Sequence, residues 1–318
     1  RLHDIIATSL SQKDFRSFNQ DTISQAVFKQ LQEQLFAFVH LIHQQNEQLP
    51  ARILISEGQF GRSKNDLLPS FSYSLESGGE LFIRGKIDRI DLIDQVNQAY
   101  LQVIDYKSSN KQFNLVDSFY GLDLQILTYL AVALKKYPQA RPLGAFYQPI
   151  LQGYRRADKS IAQLDSEGLK TDFLKERRLN GFVTLPSDVL LDLEKGASLS
   201  KQSLIYPVRF KKDGTYYSGS PYFDASQVKT LLAYTHWMFK KAADQIQAGH
   251  IEFAPFIDAP YTPSLRRPYR AITGFDASQS YSAYRQKEID KKTVLEAMDD
   301  QLTHLKLQRK EKSDGITD

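Results

Sequence analysis

Two runs rich in β-branched and aromatic residues, Glu80 to Leu92 and Tyr100 to Tyr106, flank a polar turn around Asp94 to Gln98. That pattern commits the region to a β-hairpin. The second run continues as "VIDYKSSN", which sets Asp105 and Lys107 two residues apart at the end of an otherwise apolar strand. Side chains at i and i+2 of a strand share a face, so the acid and the lysine point the same way. The first run reads "RGKIDRID" and delivers a second acid, Asp88, to the neighbouring strand. Asp91, three residues on, should face the other side of the sheet. Carboxylate oxygens are the ligands that Mg²⁺ and Mn²⁺ prefer, and an ammonium beside them can orient water or stabilise charge on a phosphate. An isolated D-x-K tripeptide is more often a structural ion pair at a strand end, so the surrounding sequence has to decide.

The rest of the chain alternates helical and strand patterns without internal repeats. Asp21 to Gln45 reads as one long amphipathic helix capped by Asp21 or Thr22. His40 and His43 on it have the look of ordinary surface histidines. A helix is expected from about Tyr120 to Lys136, strands over Leu143 to Pro149 and Ser203 to Lys211, and a second long helix from Ala225 to a C-capping Gly249. Residues 152–200 read as an irregular insertion of loops and short helices. The segment 250–290 is expected to pack back on the core, and 291–318 to form a charged helical or disordered tail. The fold class that results is α/β, a central mixed sheet flanked by helices with a helical C-terminal extension.

Composition removes several classes. The chain has no cysteine, so neither a disulfide nor a thiolate-bound metal can form within it, and a cytoplasmic setting is the default reading. No apolar run approaches the roughly 18 residues needed to span a bilayer. The opening "RLHDIIATSL" has no secretory leader and reads as the edge of a cut fragment. No G-x-x-x-x-G-K-[ST] sequence is present, which argues against ATP binding through a P-loop.

The motifs "GKIDRID", "VIDYKSS" and "YGLDLQILTYL", in that order, resemble the RecB-type branch of the PD-(D/E)XK nucleases. The resemblance is closer still to the C-terminal nuclease domain of the B subunit of AddAB/RexAB-type helicase-nucleases, and it covers about residues 1–290. It implies a restriction-endonuclease-like core that cleaves single-stranded DNA during double-strand-break repair, fed by an A-type helicase subunit in a heterodimer. Asp88 would match the first motif acid, Asp105 and Lys107 the D-x-K pair, and Gln125 with Tyr129 the Q-x-x-x-Y helix motif. The implied metal ligands are His3, Asp88, Asp105 and the main-chain carbonyl of Tyr106, with Mg²⁺ or alternatively Mn²⁺ as the cofactor. The competing function is a catalytically silent DNA-binding or scaffolding domain that keeps the fold, and the intact Asp88, Asp105 and Lys107 argue against it.

Two further expectations concern the later part of the chain. Relatives of this family carry a C-x₂-C-x₅-C pattern for an iron–sulfur cluster, where this chain has Ser264, Arg267 and Thr273, so no cluster is expected. Basic and aromatic residues at Lys111, Arg209, Lys211, Lys212, Tyr216 and Tyr217 are expected to line a groove for single-stranded DNA. Arg84 and Arg89 are expected at a strand edge or against phosphates.

Overall fold

The structure is a computed structural model, and it describes residues 2–10, 21–63, 65–75, 78–95, 97–150, 173–195, 197, 201–250, 254–256 and 284–314. Its centre is a five-stranded sheet of β1 (Arg52–Phe60), β4 (Gly85–Gln95), β5 (Gln98–Lys107), β6 (Arg141–Pro149) and β7 (Asn180–Val183), in that spatial order. β4 runs antiparallel to both β1 and β5, β5 and β6 are parallel, and β7 returns antiparallel to β6. The hairpin read from sequence is present, closed by the Gln95–Gln98 pair. The expected α/β class with a central mixed sheet flanked by helices is the fold observed.

The parallel pair requires a crossover, supplied by α3 (Leu115–Phe119) and α4 (Gln125–Lys136). Ile126, Leu127 and Leu130 of α4 are buried against Leu101 and Val103 of β5 and Ala145 and Tyr147 of β6. The same cluster takes in Val228, Leu231 and Tyr234 of α6 (Ala225–Gln247) and Val294 and Met298 of α7 (Val294–Asp314). The charged tail set apart at residue 291 therefore begins inside the main core. Tyr234 ties this layer together, its hydroxyl within hydrogen-bond distance of the Phe119 carbonyl and of Gln301, both at 3.0 Å.

The opposite face of the sheet is covered differently. Ile93, Ile104, Phe146 and Val183 pack against Leu190 and Leu193 of α5 (Ser187–Leu193) and against Ile205, Tyr206, Val208 and Phe210. The last four belong to the run expected as a strand at Ser203 to Lys211. It forms only isolated bridges, Gln202 to Arg209 and Phe210 to Tyr216. Its apolar residues plug the sheet face instead of pairing at its edge, and this answers to the same composition. Glu194 staples the segment: its carboxylate accepts from Ser203 Oγ and from the Leu204 amide, both at 2.5 Å. α2 (Thr22–Gln48), capped by Asp21 as expected, lies over the same face through its last turns, where Leu41 is buried against Leu174 and Leu204.

Three other sequence expectations need correction. The run Glu80 to Leu92 is two strands, because the chain breaks at Arg84. β3 (Glu80–Ile83) pairs with β2 (Phe71–Ser74) in a separate ribbon. Gly61, at φ +73°, packs into that break so closely that a Cβ would lie 2.3 Å from the Ile83 carbonyl oxygen. Residues 152–200 are not merely an insertion, since β7 is a strand of the central sheet and α5 covers it. The helix expected to end on Gly249 has Ala248 as its cap, with Gly249 next at φ +73°. Residues 257–283, which include Ser264, Arg267 and Thr273, lie outside the described residues, so the packing expected for much of 250–290 does too.

Two stability outcomes follow. Met298→Ala leaves a cavity in the main core and should lower stability by about 2–5 kcal/mol, read as a drop in urea midpoint. Burial pushes the Glu194 carboxyl up from the usual carboxylate range to about 7, against the pull of its Ser203 and Leu204 hydrogen bonds. A carboxyl raised in the folded state stabilises fully below its unfolded value near 4.5, and this contribution is lost as pH rises through 7. Glu194→Ala should therefore cost more stability at pH 5 than at pH 8; an equal loss at both would show that Glu194 titrates normally.

Candidate active site

The registers of β4, β5 and β6 sort their side chains onto two faces. Asp105 lies on the face that packs against α4, beside Tyr147, its register partner on β6. Asp88 is on the same face of β4, half-buried, and its Oδ2 accepts the Tyr106 amide at 2.7 Å. Asp105 is buried, with the Lys107 ammonium 2.5 Å from its Oδ2. α4 begins at Gln125 and presents it to both groups: Gln125 Oε1 accepts from Lys107 Nζ at 2.9 Å and Gln125 Nε2 donates to Asp105 Oδ1 at 3.0 Å. Tyr129, one turn on, has its hydroxyl 2.9 Å from Gln125 Nε2. Asp88, Asp105, Lys107, Gln125 and Tyr129 thus lie together; strand spacing had grouped the first three, and the family resemblance had added the last two.

The electrostatics of this cluster are not balanced. Burial pushes the Asp105 carboxyl up, Lys107 pulls it down, and Asp88 pushes it up again. Burial likewise raises the Tyr129 phenol, helped by the negative charge of Asp105 and Asp88. The Lys107 ammonium pairs with Asp105 Oδ2, yet the corner still holds two carboxylates to one ammonium. Two carboxylates together at the exposed end of a strand suit a hard divalent cation. Among the described residues no group of three or more Asp, Glu or His is placed for a metal. Two carboxylates are nonetheless an ordinary protein contribution to Mg²⁺, whose remaining positions go to water and phosphate. His3 lies in α1 (Leu2–Leu10), and its side chain is outside the described residues.

Asp91 shows what the same residue type does when it faces the other way. It is fully buried, accepts from Arg89 Nε at 2.7 Å and Gln102 Nε2 at 3.0 Å, and through Gln102 reaches the Tyr206 hydroxyl at 2.8 Å. Arg89 is consequently committed to Asp91 and not available to phosphate, contrary to expectation. The expected groove is also divided. Tyr216 packs on Phe210 and Tyr222 and donates to the Leu185 carbonyl at 3.0 Å, so it is not a free stacking platform. Arg209 lies over the Tyr217 ring, 5.3 Å from its centroid, on the segment that covers the far face of the sheet. Lys111 alone of that group joins the site. Its ammonium donates to Asp123 Oδ1 at 3.0 Å and sits 4.3 Å from the centre of the Tyr147 ring. Sequence reasoning missed Asp123 and Tyr147, although "YGLDLQ" places the aspartate two residues before Gln125. His40 and His43 are exposed, and His43 meets Glu47 at 3.5 Å, an i,i+4 carboxylate that the sequence reading did not count.

A sheet whose central strands end in this paired-acid and lysine arrangement, with a glutamine from the following helix, has the organisation of a PD-(D/E)XK nuclease. The family model for the PD-(D/E)XK nuclease superfamily matches residues 2–259, and the chain belongs to that superfamily. It is 32% identical over 225 residues to the B subunit of the ATP-dependent helicase/deoxyribonuclease of Thermoanaerobacter sp. (strain X514), covering 70% of this chain and 19% of that protein. To the protein of the same name from Latilactobacillus sakei subsp. sakei (strain 23K) it is 30% identical over 311 residues, 93% of this chain and 26% of the other. The chain spans about a fifth to a quarter of the length of these relatives.

Asp88 and Asp91 of β4 should separate cleanly in stability. Asp91→Ala leaves the buried Arg89 charge unpaired and should cost about 3–5 kcal/mol. Asp88→Asn keeps an acceptor for the Tyr106 amide and should move the urea midpoint by less than about 1 kcal/mol equivalent. Equal losses in the two variants would contradict the division of the faces.

Proposed function

We infer that this domain hydrolyses phosphodiester bonds in DNA, most readily in a single strand, with Mg²⁺ or Mn²⁺ bound between Asp88 and Asp105. The observation that carries the reading is the convergence of Asp88, the buried Asp105, Lys107 and Gln125 at the end of β5. The ligands would be Asp88, Asp105, the main-chain carbonyl of Tyr106 and His3. Bound there, the ion supplies Lewis acidity toward a phosphate oxygen and lowers the pKa of its water.

Each side chain has its own part in this. Lys107, drawn between Asp105 and Gln125, holds a donor toward the entering water and toward charge that develops on the phosphate. Gln125 fixes both Lys107 and Asp105, so neither has to reorganise when the strand arrives. Tyr129, kept protonated by burial, can offer its hydroxyl to a phosphate or base from the same side. The position of the domain within a larger ATP-dependent helicase-nuclease of more than one subunit is supported by the names of the relatives, and a part in double-strand-break repair beside a motor subunit extends that reading. No helix among the described residues is long and apolar enough to cross a membrane.

Asp105→Ala and Lys107→Ala should each reduce cleavage of a labelled single-stranded oligonucleotide by roughly a hundredfold or more while keeping the circular dichroism of the parent. Mn²⁺ should raise the thermal midpoint of the parent and leave that of Asp105→Ala unchanged, because only a bound ion stabilises the folded state. Cleavage by Asp105→Ala at the parental rate would remove this aspartate from the site.

A further inference from the structure

Lys111 brings a second ammonium to the cluster, and the fold holds it there from three directions. Its partner Asp123 is buried and already accepts the Tyr147 hydroxyl at 2.6 Å and the Asn114 amide at 3.3 Å. Tyr147 is itself fully buried, and its ring lies 4.3 Å from Lys111 Nζ and 5.5 Å from Lys107 Nζ, so one aromatic ring is flanked by both cations. The loop that carries Lys111 is pinned at its start, where Asn180 of β7 donates to Asn110 Oδ1 at 2.5 Å. These contacts fix the lysine without burying it: its side chain is 35% exposed, against 5% for Asp123.

We propose that Lys111, held by Asp123 and Tyr147, is a substrate-positioning residue that takes a phosphate of the bound strand next to the one being cut; this rests on the nuclease reading above. With a third of its surface in water, the Lys111 ammonium escapes the desolvation that full burial beside Asp123 would cost and stays within reach of a phosphate, while Asp123 has two other donors of its own. The charges point the same way. Asp88, Asp105 and Asp123 against Lys107 and Lys111 leave one net negative charge, which a divalent ion turns into one net positive charge facing a phosphodiester. Without Lys111 the ion-loaded site would be neutral, and attraction for the strand would fall. Lys107, set between Asp105 and Gln125, is given over to the phosphate that reacts, which leaves the neighbouring one to the more exposed Lys111.

The test compares the parent chain, Lys111→Ala, Lys111→Arg, Asp123→Asn and the Lys111→Ala/Asp123→Asn pair. Affinity for a fluorescent single-stranded oligonucleotide is measured in Ca²⁺, which loads the site without turnover, over a range of salt, and kcat and KM are measured in Mg²⁺. Lys111→Ala should weaken binding about tenfold and reduce the slope of log Kd against log salt by about one, because one phosphate contact is lost. KM should rise in step with kcat nearly unchanged, and Lys111→Arg should restore most of both. Asp123→Asn should show part of the same KM change and add nothing in the double variant, as expected of a residue acting through the lysine. Parental affinity, salt slope and KM in Lys111→Ala would overturn the proposal, as would a loss confined to kcat. Should the parent bind DNA with this Lys111 dependence yet cleave nothing, the nuclease reading fails and the phosphate contact stands.

Discussion

Keeping an aspartate buried on a central strand is the constraint from which the rest of this structure follows. A lone carboxylate in such a place costs several kcal/mol, and partners must offset it. Asp105 has a lysine from its own strand and an amide from α4, yet burial still outweighs them and its proton affinity stays raised. A second carboxylate, Asp88, shares the same corner and pushes it up further. A fold under pressure for stability alone would have filled that position with an apolar residue or closed the network.

It did close the network on the other side. Asp91 is three residues from Asp88, fully buried, and has Arg89, Gln102 and, through the glutamine, Tyr206 around it. That cluster is sealed under the 201–217 segment and has no role to play at the surface. The Asp88 and Asp105 cluster is unfinished and reaches solvent through Lys107, whose side chain is 26% exposed. One strand thus carries an acid in a closed network on one face and an acid in an open cluster on the other, and the pleat of the strand alone separates them.

What could be read from the sequence was what depends on local spacing. The hairpin, the shared face of Asp105 and Lys107 and the helical pairing of Gln125 with Tyr129 are all separations of two to four residues, where backbone geometry fixes direction. β7 escaped because "NGFV" is too short to show alternation and is a strand only because β6 offers an edge. The Ser203 to Lys211 run misled for the opposite reason: its alternating apolar residues are real, but they cap a sheet face instead of joining the sheet. Tyr216 had the composition of a base-stacking residue and turned out to be packing. The link of Lys111 to Asp123 and Tyr147 joins three elements across 12 and 24 residues, a distance at which no periodicity carries information.

Topology explains why the site forms where it does. β5 and β6 are the one parallel pair among the described strands, so the chain must leave the end of β5, cross a face of the sheet and return. A crossover helix runs back along the strand it follows, and its first turn therefore stands beside the strand's last residues. Here that puts Gln125, the first residue of α4, against Asp105 and Lys107 near the end of β5. The unpaired amides of the helix start add a partial positive potential beside two carboxylates, where it is most useful. The short segment from Ser108 to Leu124 has to bridge this turn, and it spends its residues on the same place: Lys111 and Asp123 lie within it. The antiparallel edges of the sheet have no such returning helix. The end of β5 is thus the position at which this topology delivers a strand terminus, a helix start and a crossover loop to one point, and the polar residues of all three are gathered there.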